Sequence, residues 1–420
     1  MSLRAPMVLV ALAVLVRATA AATVSDWPQF RGPDAQGHAV DASPPVEWGP
    51  EKNVAWKVEV PGRGWSSPVV VTGRVFLTAA VQEGGALSLR ALALDAQDGK
   101  SLWNVEIARE QTKSLPGIHS KNGHASPTPL VHGERLFVHF GHLGTACLDR
   151  DGKILWTNRT LRYPPRHGAG GSPALIDDLL VFSCDGEESP FLVALSAATG
   201  EVKWRRSRSV DAKKKFSFST PLLVDAPGSK EIGGREIVSV GSEMVAGYEP
   251  KSGEELWRVR FDGYSVVPRP VVGHGLVFFS TGYDDAQLWA VKPGGKGDVT
   301  STHVAWTLKR GAPNNPSPLL VGDELYLVAD RGIASCVDAR TGTIHWQERL
   351  DGTFSASPIL AGGNIYLVSE DGVGFVLKPG KEFLERGRSS LGERTLASPA
   401  AVGNALYIRT ESRLWKFEQK

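Results

Sequence analysis

A proline that follows a small or polar residue returns along the whole chain and fixes its period. It stands at Ser67-Pro68, Ser126-Pro127, Ser172-Pro173, Thr220-Pro221, Arg269-Pro270, Ser317-Pro318, Ser357-Pro358 and Ser398-Pro399. From Pro68 to Pro399 the mean step is about 47 residues. A second anchor, a glycine followed four residues later by tryptophan, falls between them at Gly99/Trp103, Gly152/Trp156, Gly200/Trp204, Gly253/Trp257 and Gly342/Trp346. Gly380/Leu384 keeps the spacing without the indole, and a short insertion, Lys296 to His303, precedes Trp306.

Each repeat carries four short segments rich in β-branched and aromatic residues. In the sixth they are Ser317–Val321, Glu324–Ala329, Ile333–Asp338 and Thr343–Arg349. Four strands in 40 to 50 residues is the pattern of a propeller blade. The glycine before the last strand supplies the positive φ that a tight turn needs. The tryptophan is large enough to pack on the neighbouring blade. After Pro399 only three strands remain, and the missing fourth, Asn53 to Val60 with Trp56, lies at the start. The expected fold is therefore all-β: an eight-bladed propeller of four-stranded antiparallel blades, closed by the N-terminal strand completing the last blade. The 46 glycines, 27 prolines and 12 tryptophans of the chain are mostly this repeat.

The predicted organisation is a signal peptide over 1–22, a Pro- and Gly-rich lead-in over 23–53, and the propeller over 54–420. Arg4 and the ten apolar residues Met7 to Val16 make an n-region and h-region, and Ala18-Thr19-Ala20 or Ala20-Ala21-Ala22 fits the cleavage rule. The run is too short to span a bilayer, and no other stretch is long and apolar enough to do so. The sequence thus predicts a periplasmic or secreted protein with no membrane span in its mature form, and a monomer. Lys plus Arg number 47 and Asp plus Glu 45, a net charge of +2, which argues against a nucleic-acid partner. Cys147, Cys184 and Cys336 form no C-x-x-C and no adjacent pair; the reading is small buried hydrophobes, with one disulfide left open. P-loop and G-x-S-x-G patterns are absent.

The repeat resembles the pyrroloquinoline quinone (PQQ) repeat family. The segments Leu92–Trp103, Val193–Trp204 and Cys336–Trp346 carry the likeness, which covers nearly all of residues 54–420. The resemblance implies two kinds of relative: quinoprotein dehydrogenases that bind PQQ and calcium, and cofactor-free scaffolds such as BamB, which supports outer-membrane protein assembly. Trp27–Pro33 and His139–Gly144 also resemble a group of exported bacterial PQQ-like propellers. The dehydrogenases commonly carry adjacent cysteines near the cofactor, and many a C-x-x-C-H domain. Neither is present here, and their calcium-binding and catalytic carboxylates do not align to particular residues. PQQ and calcium are possible cofactors that the missing adjacent-cysteine motif does not support. The lipid-anchor cysteine of the assembly scaffold is also missing.

By fold analogy, the loops between blades and those between the two middle strands share one face. Non-repeating polar residues there are the better functional candidates, since loops carry function and repeated residues serve the blade. The candidate ligand funnel comprises Arg63, Trp65, His119, Lys121, His124, His167, Lys215, Tyr264, Arg269, Asn314 and Arg394, with Trp65 or Tyr264 as a stacking surface for an anionic or sugar-like ligand. His119, His124, His142 and His167, with Asp185, form a candidate metal set by residue type. The expectation is a binding or scaffold module presenting this face to a small ligand or an envelope protein partner. The alternatives are a PQQ/calcium-dependent dehydrogenase and a BamB-like assembly scaffold.

Overall fold

The computed structural model describes residues 26–226 and 234–419; the predicted signal peptide, 1–22, lies outside them. Eight antiparallel sheets follow one another along the chain. Blade 1 is Val69–Val71, Arg74–Glu83, Ala86–Asp95 and Ser101–Gln111. Blades 2 to 7 repeat it, their inner strands being Leu130–His132, Ala174–Ile176, Leu222–Asp225, Val271–Gly273, Leu319–Val321 and Ile359–Ala361. Blade 8 consists of Ala400–Val402, Ala405–Arg409 and Arg413–Glu418. Its outer strand is the N-terminal Val54–Glu59, paired antiparallel with Arg413–Glu418 so that Val54 faces Phe417. The ring closes as the repeat predicts.

In the sixth repeat the observed strands start or stop within two residues of those read from the sequence. Two sheets gain a short parallel fifth strand. His38–Ala39 lies beside Ile359–Ala361, and Gly297–Asp298, within the insertion, lies beside Glu255–Arg260. One anchor is corrected. Blade 2 enters at Thr128-Pro129, since its inner strand begins at Leu130; Ser126-Pro127 sits two residues earlier, in the loop.

Burial explains the strand alternation. The two middle strands of each blade are almost wholly buried, as in Leu136–Val138 and Leu192–Leu195, and every buried Leu, Val or Phe there contributes roughly 1.5–3 kcal/mol. Outer strands are far more exposed, as in Val202–Ser207, where Trp204 alone is buried.

The two anchors of the motif meet in space. The outer-strand indoles of Trp56, Trp103, Trp156, Trp204 and Trp306 lie against the turn glycine of the following blade. A Cβ placed on Gly200 would sit 2.4 Å from Trp156, on Gly253 2.5 Å from Trp204, and on Gly342 2.7 Å from Trp306. The indole N–H of Trp56, Trp103, Trp156, Trp204 and Trp306 donates to a carbonyl of that same turn, at Ala96, Arg150, Ala197, Pro250 and Ala339. Trp257 differs because the insertion displaces the turn of blade 5. Its N–H donates instead to the buried Glu236 carboxylate at 2.8 Å, which also accepts the Gly294 amide. All three cysteines are buried and unpaired.

Candidate functional site

The chain from Trp27 to Ala39 crosses one end of the central channel. Trp27 pairs its backbone with Val70 of blade 1, and Pro28 accepts the amide of Val131 in blade 2. Three residues later Arg31 donates to Pro318 and Pro358 at the inner strands of blades 6 and 7. Gln36 then accepts from Val272 of blade 5, and Gly37 from Leu360 of blade 7. A segment that touches blades 1 and 2 and then blades 5, 6 and 7 must pass across the axis. It turns the channel into a blind funnel of about 1190 Å³, with the half-buried Phe30 on its lining.

Loops between blades and loops between middle strands both contribute to that lining, so the two classes share a face. Of the candidates read from the sequence, Trp65, His119, Lys121, His167, Lys215, Tyr264 and Asn314 line the funnel. Arg63, His124, Arg269 and Arg394 do not. Arg63 is exposed and its backbone bridges Ala80. His124 is half-buried, and burial lowers its pKa. The Arg394 guanidinium stacks 5.6 Å over the Trp65 ring, backing the wall instead of forming it. Arg269 is fully enclosed; it donates to the carbonyls of Phe30 and Pro221 and makes no ion pair with Glu243 or Asp285. Burial holds its pKa down at about 9.

The metal set does not assemble. Among the described residues no group of three or more His, Cys, Asp and Glu is arranged to hold an ion. His119 and His167 meet edge to face at 5.4 Å on the funnel wall. Asp185 is buried elsewhere, in an ion pair with Arg208 at 2.7 Å, and burial raises its pKa to about 6. His142 is held neutral, its pKa pushed down to about 4 by burial and by His124.

Six cationic side chains line the funnel, Lys121, Arg166, Lys213, Lys214, Lys215 and Arg331, against three acids, Glu187, Asp284 and Asp330. The acids are committed. Glu187 pairs with Arg166 at 2.7 Å, and Asp284 accepts from the Tyr264 hydroxyl. Asp330 accepts the backbone amides of Asn314 and Asn315. Lys214 lies 3.9 Å over the Tyr264 ring and donates to its hydroxyl. Lys121 reaches over the mouth to Glu370 of blade 7 at 2.8 Å. Calcium takes six to eight oxygens, mostly carboxylates and carbonyls. With each lining acid already engaged and no acidic cluster formed, these residues do not fit a calcium-held PQQ.

Sequence reasoning overlooked Phe30, Arg166 and Phe216 on the lining, and above all a ring of hydroxyls. Ser67, Thr128, Ser172, Thr220, Ser317, Ser357 and Ser398, the residues before the seven blade-entrance prolines other than Pro270, all line the funnel. All but Thr128 are legible in the sequence as a repeat, and a repeated residue reads as serving the blade rather than the channel. Their geometry shows that they serve both.

The family model described as outer membrane protein assembly factor BamB matches residues 46–209, 143–226, 226–332 and 303–417. The chain belongs to this family of PQQ-repeat propellers. Two solved structures share the fold. BamB of Moraxella catarrhalis, 13% identical, covers 87% of this chain and 97% of its own, with a TM-score of 0.58. The quinohemoprotein alcohol dehydrogenase ADHIIG of Pseudomonas putida HK5, 11% identical, covers 94% of this chain and 80% of its own, with a TM-score of 0.60. None of the curated proteins matches the sequence. Among the described residues no helix is long and apolar enough to cross a membrane.

Proposed function

We propose that this PQQ-repeat propeller is an exported binding module that holds a small ligand in its blind funnel. The observation that carries this reading is the funnel itself. It is about 1190 Å³, closed at one end by the lead-in, and lined by stacking aromatics and by cations that outnumber the acids. That size and mixture suit a ligand of a few rings. Trp65, Phe216 and Tyr264 offer ring faces, and Lys213, Lys215 and Arg331 offer donors at the mouth. An export signal at 1–22 would place it in the periplasm or outside the cell.

The reading is tested against the dehydrogenase alternative by adding PQQ and calcium to the purified chain and assaying dye reduction over a panel of alcohols and sugars. No turnover is expected, and turnover would overturn the proposal. The family match supports a second reading, a scaffold that docks an envelope protein on the same face. Capture from envelope extracts with Lys213→Glu and Arg331→Glu would distinguish it, because both charges lie at the mouth and neither makes an ion pair among the described residues. Arg269→Ala is unsuited to that purpose: Arg269 is buried, so its loss reports on stability.

A further inference from the structure

The residues before the entrance prolines are joined into two arcs. In the first, the amide of Ser67 donates to the Thr128 hydroxyl, Thr128 to Ser172, and Ser172 to Thr220, at 2.9–3.0 Å. In the second, Arg269 donates to Ser317, Ser317 to Ser357 and Ser357 to Ser398, at 2.8–3.0 Å. Six hydroxyl oxygens are thereby used as acceptors. Each hydroxyl still has one hydrogen to give. No protein acceptor for any of the six is found among the described residues, and all six face the funnel. A hydroxyl that accepts a hydrogen bond is polarised into a better donor. The side chains are more than nine-tenths buried, so these donors are fixed in place.

At this level two buried guanidiniums outnumber the one carboxylate that acts on both, Asp34 of the lead-in, which is itself bonded to His38. Arg269 takes the eighth place in the ring, and Arg31 lies close beneath it in the lead-in. Both guanidiniums are fully buried, their direct partners are carbonyl oxygens, and the Nε of each has no partner. The lining acids are held in loops at the mouth. A neutral hydroxyl donates as readily as it accepts, whereas an oxyanion only accepts. A ring of aligned donors in a positive field selects the oxyanion.

We propose that the throat of the funnel is an oxyanion site, in which the entrance hydroxyls receive the carboxylate, sulfate or phosphate of a ligand whose body stacks against the aromatic wall above. This rests on the funnel being a ligand site and names the class of ligand it takes. The test is calorimetric titration of the full chain with trigalacturonate, glucose 6-phosphate and neutral maltotriose. At least one charged ligand is expected to bind, at least tenfold more tightly than maltotriose, and inorganic sulfate is expected to compete with it. Ser357→Ala is expected to weaken that binding about tenfold while Ser357→Thr, which keeps the hydroxyl, retains it. Because Ser357→Ala also removes an acceptor from the Ser317 amide, the sulfate competition on the unaltered protein stands as an independent measure. Equal binding of maltotriose would overturn the oxyanion site and leave the funnel reading intact. Charged-ligand binding that ignores both sulfate and a folded Ser357→Ala would overturn the throat as its location. Failure of both charged ligands to bind would overturn the inference, and the funnel reading would fall with it only if a broad neutral panel also failed.

Discussion

At the scale of single residues, glycine and tryptophan form one device split between blades. The turn glycine is needed twice over, for its positive φ and for the space the preceding indole fills. The two demands are separable. Gly200 has φ 74° and would carry a Cβ only 2.4 Å from Trp156, whereas Gly73 has φ 76° and open space around it. Gly73→Ala is expected to cost about 1 kcal/mol, from backbone strain alone. Gly200→Ala is expected to cost at least about 2 kcal/mol more, since the indole must move out of a packed seam. Chemical denaturation of the two variants measures the difference. A second residue-scale effect is acid sensitivity. His139 is fully buried, its Nδ1 bonded to Thr145 at 2.8 Å, and burial holds its pKa at about 3. The unfolded chain protonates this histidine below its usual value of about 6.5 while the folded chain does not, so its contribution to stability falls as pH drops from 6.5 toward 3. Each pH unit in that window costs up to about 1.4 kcal/mol. Urea melts at pH 7 and pH 5 should show a smaller loss in His139→Gln than in the parent.

At the scale of elements, the seams between blades matter more than the blades. Six of them carry the hydroxyl link described above. It is missing between blades 4 and 5 and between blades 8 and 1, and a buried arginine spans each gap. Arg269 reaches back from blade 5 to Pro221. Arg409 of blade 8 donates to Ser66 and to the Thr78 carbonyl of blade 1. Arg409 thus stitches the seam where the chain ends are joined. Its replacement by methionine keeps much of the volume and removes three hydrogen bonds, leaving the Ser66 hydroxyl with the Thr78 amide and costing roughly 1–3 kcal/mol for each acceptor left unsatisfied. Arg409→Met is therefore expected to lower the denaturation midpoint more than Ser357→Ala, which removes the single neutral hydrogen bond that the Ser357 hydroxyl accepts from the Ser317 amide.

For the whole molecule, closure by Val54–Glu59 is the decisive contact. Without it the edge of Arg413–Glu418 presents unpaired amides and carbonyls to any other chain. A chain beginning at residue 61 is expected to self-associate, read as a shift to higher mass by light scattering, while the full chain stays at lower mass. Eight blades, their order, the closing strand and the packing of the outer-strand tryptophans on the neighbouring blade followed from sequence alone. They rest on local patterns that repeat every 40 to 60 residues, and a repeat constrains each unit to the same geometry. Which loops share a face followed as well, and it brought seven of the eleven funnel candidates to the lining. The tertiary structure alone decided the rest. Arg269 and Asp185 have the residue types of ligand-binding groups, but their depth is set by the diameter of the channel and the packing of neighbouring blades, which no local pattern encodes. The lead-in carries no repeat, so nothing in its order of residues announces that it crosses the axis. That path is fixed by hydrogen bonds to five blades far apart in sequence, and it converts a channel into a closed funnel.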